Sequence, residues 1–394
     1  MTLLLYLLAL ALVLATLPGT LELLLLTLAA LFYREPASKR STEGLRLAVV
    51  VPAHNERLHI ERCIGSLADA ARGVDAELIV IADNCEDETA DLAGGAGARV
   101  LVRTDPERRG KGYALDFAFS RLLPEGFDAF VVVDADSVVS DNLLAEIAAQ
   151  MAVGADAVQA RYTTLNADAS LRTRLMNLAL MAFNVLRPRG RAALGLSAGI
   201  LGNGFALSAE TLRAVPYGAA SVVEDLEYHL LLVEAGRRVR FADRAWVKAD
   251  MPTGGRGSRT QRARWEGGRL RMILSHVPSL LRQTIAGRRR LLEPALDLLL
   301  LPLSLHVTLL FVALLVPVGL ARTYGLAGLA VVALHVLVAV RVGGGGLREL
   351  GVLAIAPFYV LWKLALLPAI TRTGGSRAAW VRTDRESNES KRDD

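Results

Sequence analysis

A run of four apolar residues that ends in two carboxylates constrains the fold of this chain more than any other feature. Phe130-Val-Val-Val133 is followed by Asp134-Ala-Asp136, and such a run is typical of an interior strand in a parallel sheet. Ligands of open α/β sheets bind beyond the carboxyl ends of the strands, where both acids fall. Residues i and i+2 of a strand point to the same side, so the acids either repel each other or share a cation. Oxygen ligands favour Mg²⁺ or Mn²⁺ and hence a diphosphate substrate, although the run alone also fits a solvated turn.

Apolar strands alternate with helical patterns from Leu45 to Asp250, which predicts a layered α/β domain with a mostly parallel sheet. The predicted strands are Leu47–Pro52, Glu77–Ala82, Arg99–Arg103, Ala129–Asp134, Ala157–Tyr162, Val239–Ala242 and Trp246–Ala249. The predicted helices are Glu56–Ala71, Asp87–Ala93, Gly112–Leu123, Asp141–Met151 and Ala169–Leu186. We expect one domain over residues 45–268.

The stretch from Leu3 to Phe32 predicts an N-terminal transmembrane helix within residues 1–33. It exceeds the roughly 20 residues of one bilayer crossing and falls short of two. No Lys or Arg precedes it, unlike the start of a cleaved signal peptide. The first cation, Arg34, follows at once, so the positive-inside rule puts the N-terminus outside and the α/β domain in the cytoplasm. Glu22 within this stretch is either functional or buried against a neighbouring helix.

The C-terminal part also predicts membrane contact. Residues 269–293 mix apolar side chains with arginine at helical spacing, as in an amphipathic helix that lies along lipid head groups. Apolar segments follow at Pro294–Leu320, Leu326–Val340 and Leu350–Ile370. The basic tail, residues 371–394, should be cytoplasmic, so we expect two crossings and a third segment that dips in or lies at the interface. The sequence thus predicts a multi-pass protein of the cytoplasmic (inner) membrane.

The composition fits this prediction and excludes some partners. The hydrophobic content is 53% and the mean hydropathy +0.36, which is high for a soluble domain. The net charge is +5, but the cations crowd near the membrane segments and no nucleic-acid-binding motif occurs, which favours anionic lipid head groups over nucleic acid as partner. The two cysteines, Cys63 and Cys85, match no metal-site spacing and fit a reducing compartment.

Polar residues at other predicted strand ends suit a nucleotide site, although each signal alone is weak. The first strand leads into Asn55 and Glu56, where an ordinary helix cap is the alternative. Asp83 lies at the next strand end, where a carboxylate suits the N–H of a base or a ribose hydroxyl. Lys111, in the glycine-flanked turn Arg109-Gly-Lys-Gly, could meet phosphate at the start of a helix.

Six motifs in this order and spacing resemble those of family-two inverting glycosyltransferases. They are Pro-Ala-His-Asn-Glu at 52–56, Ala-Asp-Asn-Cys-Glu-Asp-Glu-Thr-Ala at 82–90, Arg-Gly-Lys-Gly-Tyr-Ala-Leu at 109–115, Val-Asp-Ala-Asp at 133–136, Val-Glu-Asp at 223–225 and Gln-Arg-Ala-Arg-Trp at 261–265. The last is similar to the Gln-x-x-Arg-Trp of membrane-bound members such as cellulose, hyaluronan and poly-N-acetylglucosamine synthases and ceramide glucosyltransferase. The resemblance implies a GT-A fold, a Rossmann-like α/β domain, with flanking transmembrane helices.

The resemblance also implies a role for each site residue. Asp83 would contact the uracil of a UDP-sugar, and Asn55, Glu56 and Lys111 would help to bind the donor. Asp134 and Asp136 would hold Mg²⁺ or Mn²⁺ on the diphosphate, with Asp136 the more direct ligand. Asp225 would be the catalytic base, and Gln261, Arg264 and Trp265 would close over the diphosphate and line the acceptor path.

Elementary chemistry agrees with this assignment. Inversion at an anomeric carbon needs one base opposite the leaving group, and a divalent metal with an arginine would offset the charge that develops on UDP. Asp225 would open a helix, whose dipole should favour the ionised carboxylate; the alternative is an ordinary acidic first turn. For Trp265 the alternative is a core or interfacial anchor, and for Arg264 a lipid contact.

The predicted function is transfer of a sugar from a UDP-sugar to a lipid or polysaccharide acceptor at the cytoplasmic membrane face. Both processive synthesis and a single addition remain open, and a processive enzyme with so few membrane segments would need homo-oligomers or polysaccharide-export partners. The alternative is a membrane-anchored scaffold or sensor that binds nucleotide without turnover. Gly202-Asn203-Gly204 resembles an acceptor-side turn but also fits a plain tight turn. His54 and His229 receive no role, and His306 and His335 are taken as structural residues of the membrane bundle.

Overall fold

The computed structural model describes residues 2–35, 42–218, 223–251 and 255–355. Eight strands form one sheet: β1 Leu47–Ala53, β2 Ala76–Asp83, β3 Arg99–Arg103, β4 Ala129–Val132, β5 Ser137–Val139, β6 Ala157–Thr164, β7 Phe205–Ser208 and β8 Val239–Ala249. The α-helices are α1 Thr2–Phe32, α2 Ile60–Ala70, α3 Thr89–Gly95, α4 Lys111–Leu122, α5 Leu143–Ala152, α6 Leu171–Leu180, α7 Arg187–Ala193, α8 Ala209–Ala214, α9 Glu224–Glu234, α10 Gly255–Ile285, α11 Leu292–Leu299, α12 Leu303–Leu315, α13 Gly319–Gly343 and α14 Leu347–Gly351.

The sheet is mostly parallel, as the sequence predicts. Its strand order is β3-β2-β1-β4-β7-β6-β8-β5, and only β5 and β7 run against the others among the described strands. The chain moves outward from β1 to β2 and β3, then returns to place β4 on the other side of β1. The carboxyl ends of β1 and β4 therefore flank a topological switch point, where open α/β sheets bind their ligands.

Apolar side chains fill both faces of the sheet. On one face, Val49, Val51 and Val131 pack with Ile64 and Leu67 of α2. On the other face, the alternate residues of β1 and β4 pack with the aromatic side chains of Phe119, Phe205 and Phe241, among others. Because successive strand residues point to opposite faces, a strand buried on both sides must be apolar throughout, which explains the uninterrupted run before Asp134.

Two strands are not predicted from the sequence, because each is too short to give a clear pattern. The sequence analysis gives no strand at 137–139 or 205–208, and both are reversed strands of three and four residues. The predicted strands Val239–Ala242 and Trp246–Ala249 are one strand, β8, whose pairing with β6 shifts register between Ala160 and Arg161. The predicted helix 169–186 is α6 followed by a π-helical segment, Met181–Leu186.

Two of the described helices, α1 and α13, are long and apolar enough to cross a membrane, and α12 forms a bent pair with the preceding helical segment at an angle of 77°. Polar contacts join these helices: His306 Nε2 of α12 lies 3.2 Å from Thr20 Oγ1 of α1, and His335 Nδ1 of α13 lies 2.8 Å from Thr27 Oγ1. The two histidines are buried between helices, as a structural role requires. Residues 356–394, with most of the third apolar segment and the basic tail, lie outside the described part.

The α/β domain holds the carboxyl ends of both apolar helices. Arg189 donates to the carbonyl oxygen of Ala30 near the end of α1 (2.9 Å), and Arg161 donates to that of Val342 near the end of α13 (3.1 Å). Asp243 of β8 accepts hydrogen bonds from both arginines. Cations at helix carboxyl ends offset the helix dipole and satisfy carbonyl groups that have no partner within the helix. Both helices therefore end against the same side of the domain.

The predicted amphipathic segment, 269–293, forms no single helix. Its first part belongs to α10, which begins at Gly255 and ends at Ile285. The chain then turns through Gly287, at φ +104°, before a short 3₁₀ turn leads into α11.

Candidate functional site

A cleft of about 170 Å³ opens at the carboxyl ends of β1, β2 and β4. It is lined by Pro52, Ala53, His54, Glu56, Asp83, Asn84, Arg109, Gly110, Lys111, Ala114, Asp134, Ala135 and Asp136. Five of the predicted site residues thus share one cavity at the switch point: Glu56, Asp83, Lys111, Asp134 and Asp136. The other predicted residues lie beside this cleft or in α10.

Asp83 ends β2 and forms a buried ion pair. Its Oδ1 accepts hydrogen bonds from Arg103 Nη1 at 2.5 Å and from Asn84 Nδ2 at 3.0 Å. Arg103 stands opposite Asp83 in the register of β2 and β3, and it also binds Asp105 at 3.0 Å. Both side chains of the pair are less than a tenth exposed. A carboxylate held in this way presents acceptor oxygens to the cleft, which suits the N–H group of a nucleobase.

Asn203 organises the Asp134-Ala-Asp136 loop, a role that the sequence analysis did not assign. Its Oδ1 accepts from the backbone N–H of Asp134 (3.1 Å), and its Nδ2 donates to Ser137 Oγ (2.8 Å). Ser137 in turn donates to Asp136 Oδ1 at 3.2 Å. One fully buried amide therefore fixes both carboxylate positions. The positive φ of Gly202 and Gly204 on either side of it marks the tight turn that carries the amide inward.

The two carboxylates suit a divalent metal that is shared with a substrate. No group of three or more His, Cys, Asp or Glu side chains suited to a metal occurs among the described residues. Mg²⁺ is commonly held by one or two carboxylates together with substrate phosphates. Asp134, which is a third exposed, and the more buried Asp136 therefore fit Mg²⁺ or Mn²⁺ on condition that a diphosphate completes the coordination.

Lys111 connects the Asp134 loop to the Gly202 turn. It begins α4 after Gly110, and its ammonium group contacts both Asp134 Oδ1 and the carbonyl oxygen of Gly202. Burial alone would lower the pKa of Lys111, but the charges of Asp134 and Glu224 raise it above its usual value on balance. The ammonium group therefore stays charged at neutral pH and can offset negative charge in the cleft.

Asp225 lies in the first turn of α9, next to Gly202. A Cβ placed on Gly202 would stand 3.0 Å from Asp225 Oδ2. The Oδ1 atom accepts the backbone N–H of Leu226 at 2.8 Å. Burial raises the pKa of Asp225, with a further contribution from Asp134, and outweighs the lowering by the Leu226 N–H and Lys111. The expectation that the helix start would favour ionisation is therefore wrong for the net shift, because desolvation is larger, and a raised pKa makes the carboxylate a stronger base.

Asn55 and the α10 motif lie apart from the cleft lining. Asn55 adopts φ +54°, and its Oδ1 accepts the backbone N–H of Glu86 at 2.8 Å, so it ties the loop after β1 to the loop after β2. Gln261, Arg264 and Trp265 belong to α10, but their side chains lie outside the described part. The roles predicted for these four residues stay predictions.

Arg103 and His54 also reach the site without a predicted role. His54 lines the cleft, and its Nδ1 donates to the carbonyl oxygen of Asp83 at 2.8 Å. For Arg103 the available signal was the strand pairing, because a basic residue at the end of β3 must stand near the acid at the end of β2. For Asn203 the available sequence signal was the pair of flanking glycines, Gly202 and Gly204.

Comparison with known proteins identifies related sequences. A model of the family described as Glycosyltransferase like family 2 matches residues 45–268. The probable glycosyltransferase YdaM of Bacillus subtilis is 25% identical over 245 residues, 59% of this chain and 57% of that protein. A dolichol-phosphate mannosyltransferase of Pyrococcus furiosus is 28% identical over 120 residues, 30% of this chain and 34% of that protein. The chain thus spans 57% of the length of the first of these curated relatives and 34% of the second.

Comparison with solved structures also finds similar chains. The mannosyltransferase PcManGT from Pyrobaculum calidifontis, in complex with GDP-Man and Mn²⁺, matches with a TM-score of 0.51 at 17% identity and covers 85% of this chain and 97% of that chain. Glucosyl-3-phosphoglycerate synthase from Mycobacterium tuberculosis, in complex with Mn²⁺, UDP and phosphoglyceric acid, matches with a TM-score of 0.41 at 23% identity and covers 60% of this chain and 84% of that chain. The predicted fold class, a mostly parallel α/β domain of the GT-A type, is confirmed.

Proposed function

The chain belongs to the glycosyltransferase-like family 2, because the family model matches residues 45–268, which is more than half of the chain. We propose its function from this membership. It is a glycosyltransferase. We propose further that it is an inverting enzyme that moves a hexose from a UDP-sugar to a hydroxyl of a lipid or glycan acceptor at the cytoplasmic face of a membrane. The remaining steps concern donor, base and acceptor.

The observation that carries this proposal is the adjacency of three charged groups. Lys111 contacts Asp134 and the Gly202 carbonyl group, and Asp225 lies against the same turn. The Asp134 and Asp136 carboxylates line the cleft, whereas Asp225 is partly buried outside the cleft lining and has a raised pKa. This arrangement supports the proposal that the acidic pair binds a diphosphate through a metal and that a separate acid acts as the base.

Each residue has a distinct task in the proposed reaction. Asp83 would accept an N–H group of the base, and Lys111 would offset the negative charge that grows on the leaving diphosphate. Asp225 would remove the proton from the acceptor hydroxyl as that oxygen attacks the anomeric carbon from the face opposite the diphosphate. The new carbon–oxygen bond forms while the bond to UDP breaks, and UDP leaves with the bonding electrons. Mg²⁺ or Mn²⁺, held by Asp134 and Asp136, would supply further stabilisation of the diphosphate charge.

The membrane part supports an acceptor at a lipid surface. The outward side of α1 exposes many leucines, and α12 and α13 add further exposed apolar side chains. Both α1 and α13 end against the α/β domain, so a bilayer around them would hold the domain close to one leaflet. We propose a multi-pass protein with the domain in the cytoplasm, as the arginines after Phe32 favour. Homo-oligomers or export partners belong to the proposal only if the product is a polymer.

Release of nucleoside diphosphate by purified full-length protein in lipid nanodiscs tests the proposal. We expect release from at least one UDP-hexose with Mn²⁺ or Mg²⁺, and much less with EDTA or with the D225N variant. Release from GDP-mannose alone would contradict the uridine assignment, since guanine also offers N–H groups to Asp83. Nucleotide binding without any turnover, unchanged by D225N, would contradict the enzyme and support a scaffold or sensor instead. Product size then separates a polymer from a single added hexose.

A further inference from the structure

Six charged side chains meet in a buried cluster between the apolar helix α1 and the α/β domain. The charged cluster consists of Glu22, Arg187, Arg191, Arg269, Glu293 and Asp297. Arg187 Nη2 donates to Glu22 Oε1 at 2.7 Å and to Asp297 Oδ1 at 2.5 Å. Arg191 binds Glu293 at 2.5 Å and Asp297 at 2.7 Å, and lies 3.7 Å from Glu22. The cluster therefore joins α1, α7 and α11.

Arg269 brings a fourth helix, α10, into the cluster. Its Nη2 atom contacts the carbonyl oxygen of Asp297 and lies 3.4 Å and 3.3 Å from those of Leu298 and Leu300. These carbonyl groups belong to the end of α11, where that of Asp297 also accepts the backbone N–H of Leu300 at 3.3 Å. A guanidinium at a helix carboxyl end is also favoured by the helix dipole. Arg269 thus fixes α10 against α11.

Stability alone does not explain this cluster. Three arginines and three carboxylates balance in charge, but Glu22 Oε2, Arg187 Nε and Arg269 Nε are buried without a hydrogen-bond partner among the described residues. Buried ion pairs often contribute less to stability than apolar side chains of similar volume. Such groups can instead fix one arrangement of the elements that carry them, because any other arrangement leaves a buried charge unpaired.

Glu22 lies in the second half of α1, near the turns that the α/β domain holds. Helix α1 has 31 residues and is about 46 Å long at 1.5 Å per residue, whereas the hydrocarbon core is about 30 Å thick. Glu22 lies 20 residues after Thr2, about 30 Å along the helix. The remaining turns of α1 are held by the α/β domain, at Ala30. The cluster therefore connects the membrane-embedded part of α1 to the catalytic domain.

The helix that carries Asp225 rests on the same elements. Gly268, next to Arg269, lets α10 approach the start of α9, since a Cβ there would stand 2.5 Å from Val223 Cγ1. Val223 and Leu230 of the α9 region share one apolar core with residues of α10 and α11. Asp225 follows Val223 by two residues. A shift of α10 or α11 would therefore be passed on to Asp225.

We propose that the charged cluster positions Asp225, and that Glu22 is a positioning residue of the transfer reaction, which makes α1 part of the catalytic unit as well as a membrane anchor. This inference rests on the proposed role of Asp225 as base. Loss of the Glu22 charge removes the ion pairs that join Arg187 and Arg191 of α7 to α1, and so lets α11 and α9 shift. Asp83, Asp134 and Asp136, which line the donor cleft, keep their places. The expected defect is in turnover and not in donor binding.

Three variants of the full-length protein in nanodiscs test this proposal. E22Q should lower kcat by about 10- to 100-fold, as small displacements of catalytic groups do, with the KM for the donor and the Kd for UDP unchanged. The double variant E22Q/R187Q restores the charge balance of the cluster but not its link to α1. Its thermal unfolding midpoint should return toward that of the wild type while kcat stays low. The control E210Q removes an equivalent carboxylate from an exposed ion pair, with Arg237 at 2.9 Å, and should leave kcat unchanged.

Hydrogen–deuterium exchange of α9 reports on the same coupling without turnover. Residues 224–234 should exchange faster in E22Q and in the double variant than in the wild type or in E210Q. Unchanged kcat and exchange in E22Q would overturn the proposal, as would a double variant that recovers kcat together with its unfolding midpoint. If E22Q does not fold, the double variant is compared with the wild type. Failure of the wild type to release UDP would contradict the proposed function, whereas the exchange experiment still tests the coupling.

Discussion

Gly202 packs directly against the carboxylate of Asp225: a methyl group on its Cα would stand 3.0 Å from Oδ2 and 3.6 Å from Cγ. The residue adopts φ +82°, a conformation that suits glycine, and its carbonyl oxygen accepts a hydrogen bond from Lys111. The Gly202 turn therefore limits the space around Asp225, the proposed base, and also binds the ammonium group of Lys111. The chemistry of Asp225 should depend on this turn as much as on α9.

The variant G202A should lose more turnover than the backbone strain at position 202 alone explains. A Cβ would displace the Asp225 carboxylate, and a non-glycine residue at positive φ should cost about 1 kcal/mol or more of folding free energy. We expect kcat to fall by at least about 10-fold, measured as UDP release per folded enzyme. Gly195 offers a matched control, because it has φ +71° and no atom within 4 Å of its Cβ position. G195A should show similar strain with nearly normal kcat, and equal losses in both variants would contradict the contact with Asp225.

Replacement of Asp225 by Asn should remove the base and leave the donor site intact. General base catalysis contributes about 10²- to 10⁴-fold, so kcat should fall by that factor with the KM for the donor unchanged. Burial raises the pKa of Asp225, and the base must be ionised to work. Activity should therefore decline as the pH falls through a midpoint above the usual aspartate value of about 3.9, seen in a pH profile of kcat. The control E234Q, at the other end of α9, should keep both kcat and this acid limb.

Chelation should abolish turnover reversibly. We expect EDTA to stop UDP release, and excess Mn²⁺ or Mg²⁺ to restore it, because Asp134 and Asp136 need a cation to bind a diphosphate. The variant D136N should require a higher metal concentration for half-maximal activity. D83N, whose side chain lines the other part of the cleft, should keep the wild-type metal requirement. Full activity in EDTA would contradict the metal site.

The local pattern of the sequence was sufficient for much of the site. The apolar run before Asp134 predicts β4 because a strand buried on both faces has no polar positions, and the carboxyl ends of parallel strands meet at one edge. Glu56, Asp83, Lys111 and Asp136 follow from the same rule and line the cleft with Asp134. The helix that Asp225 was expected to open is α9, which begins at Glu224.

Features that depend on pairing between distant segments were not predictable in this way. The strand β7 has four residues and pairs on either side with β4 and β6, so its stability comes from its neighbours. The Asp83–Arg103 ion pair depends on the register of β2 and β3. The net pKa shift of Asp225 depends on burial by the α9 surroundings, which outweighs the helix-start effect that the local sequence shows.

The Asp83–Arg103 pair should serve both folding and donor binding, and a double variant can separate the two. Removal of Arg103 leaves a buried carboxylate unpaired, so R103Q should lower the free energy of unfolding by about 3 kcal/mol or more. D83N/R103Q removes both charges and should recover much of this stability. Its KM for the donor should stay high, because the nucleobase N–H group then meets a neutral amide and loses its charged acceptor. R46Q breaks an exposed pair with Glu77 and should cost less than about 1 kcal/mol. Normal donor binding by the double variant would contradict the role of Asp83.

His229 should make the stability of the protein pH-dependent. It lies on α9 four residues after Asp225, and Ser197 Oγ stands 3.0 Å from its Nε2. Burial, with a smaller contribution from the charge of Arg191, lowers the pKa of His229 from 6.5 to about 4. Between these values the unfolded chain binds a proton that the folded protein excludes, so stability is complete above pH 6.5 and is lost as the pH falls toward 4. At 1.36 kcal/mol per pKa unit, this loss is about 3 kcal/mol.

A neutral amide at position 229 should remove this contribution. H229Q can still accept a hydrogen bond from Ser197 but binds no proton, so its unfolding midpoint should change less than that of the wild type between pH 6.5 and 4.5. Thermal unfolding of both proteins in nanodiscs across this range provides the comparison, and the difference between the two curves isolates the histidine from all other titrating groups. Parallel curves would show that His229 keeps its ordinary pKa. Because His229 shares α9 with Asp225 and stands beside Arg191, a protonated imidazole there would also disturb the charged cluster, so kcat of the wild type should begin to fall before the protein unfolds.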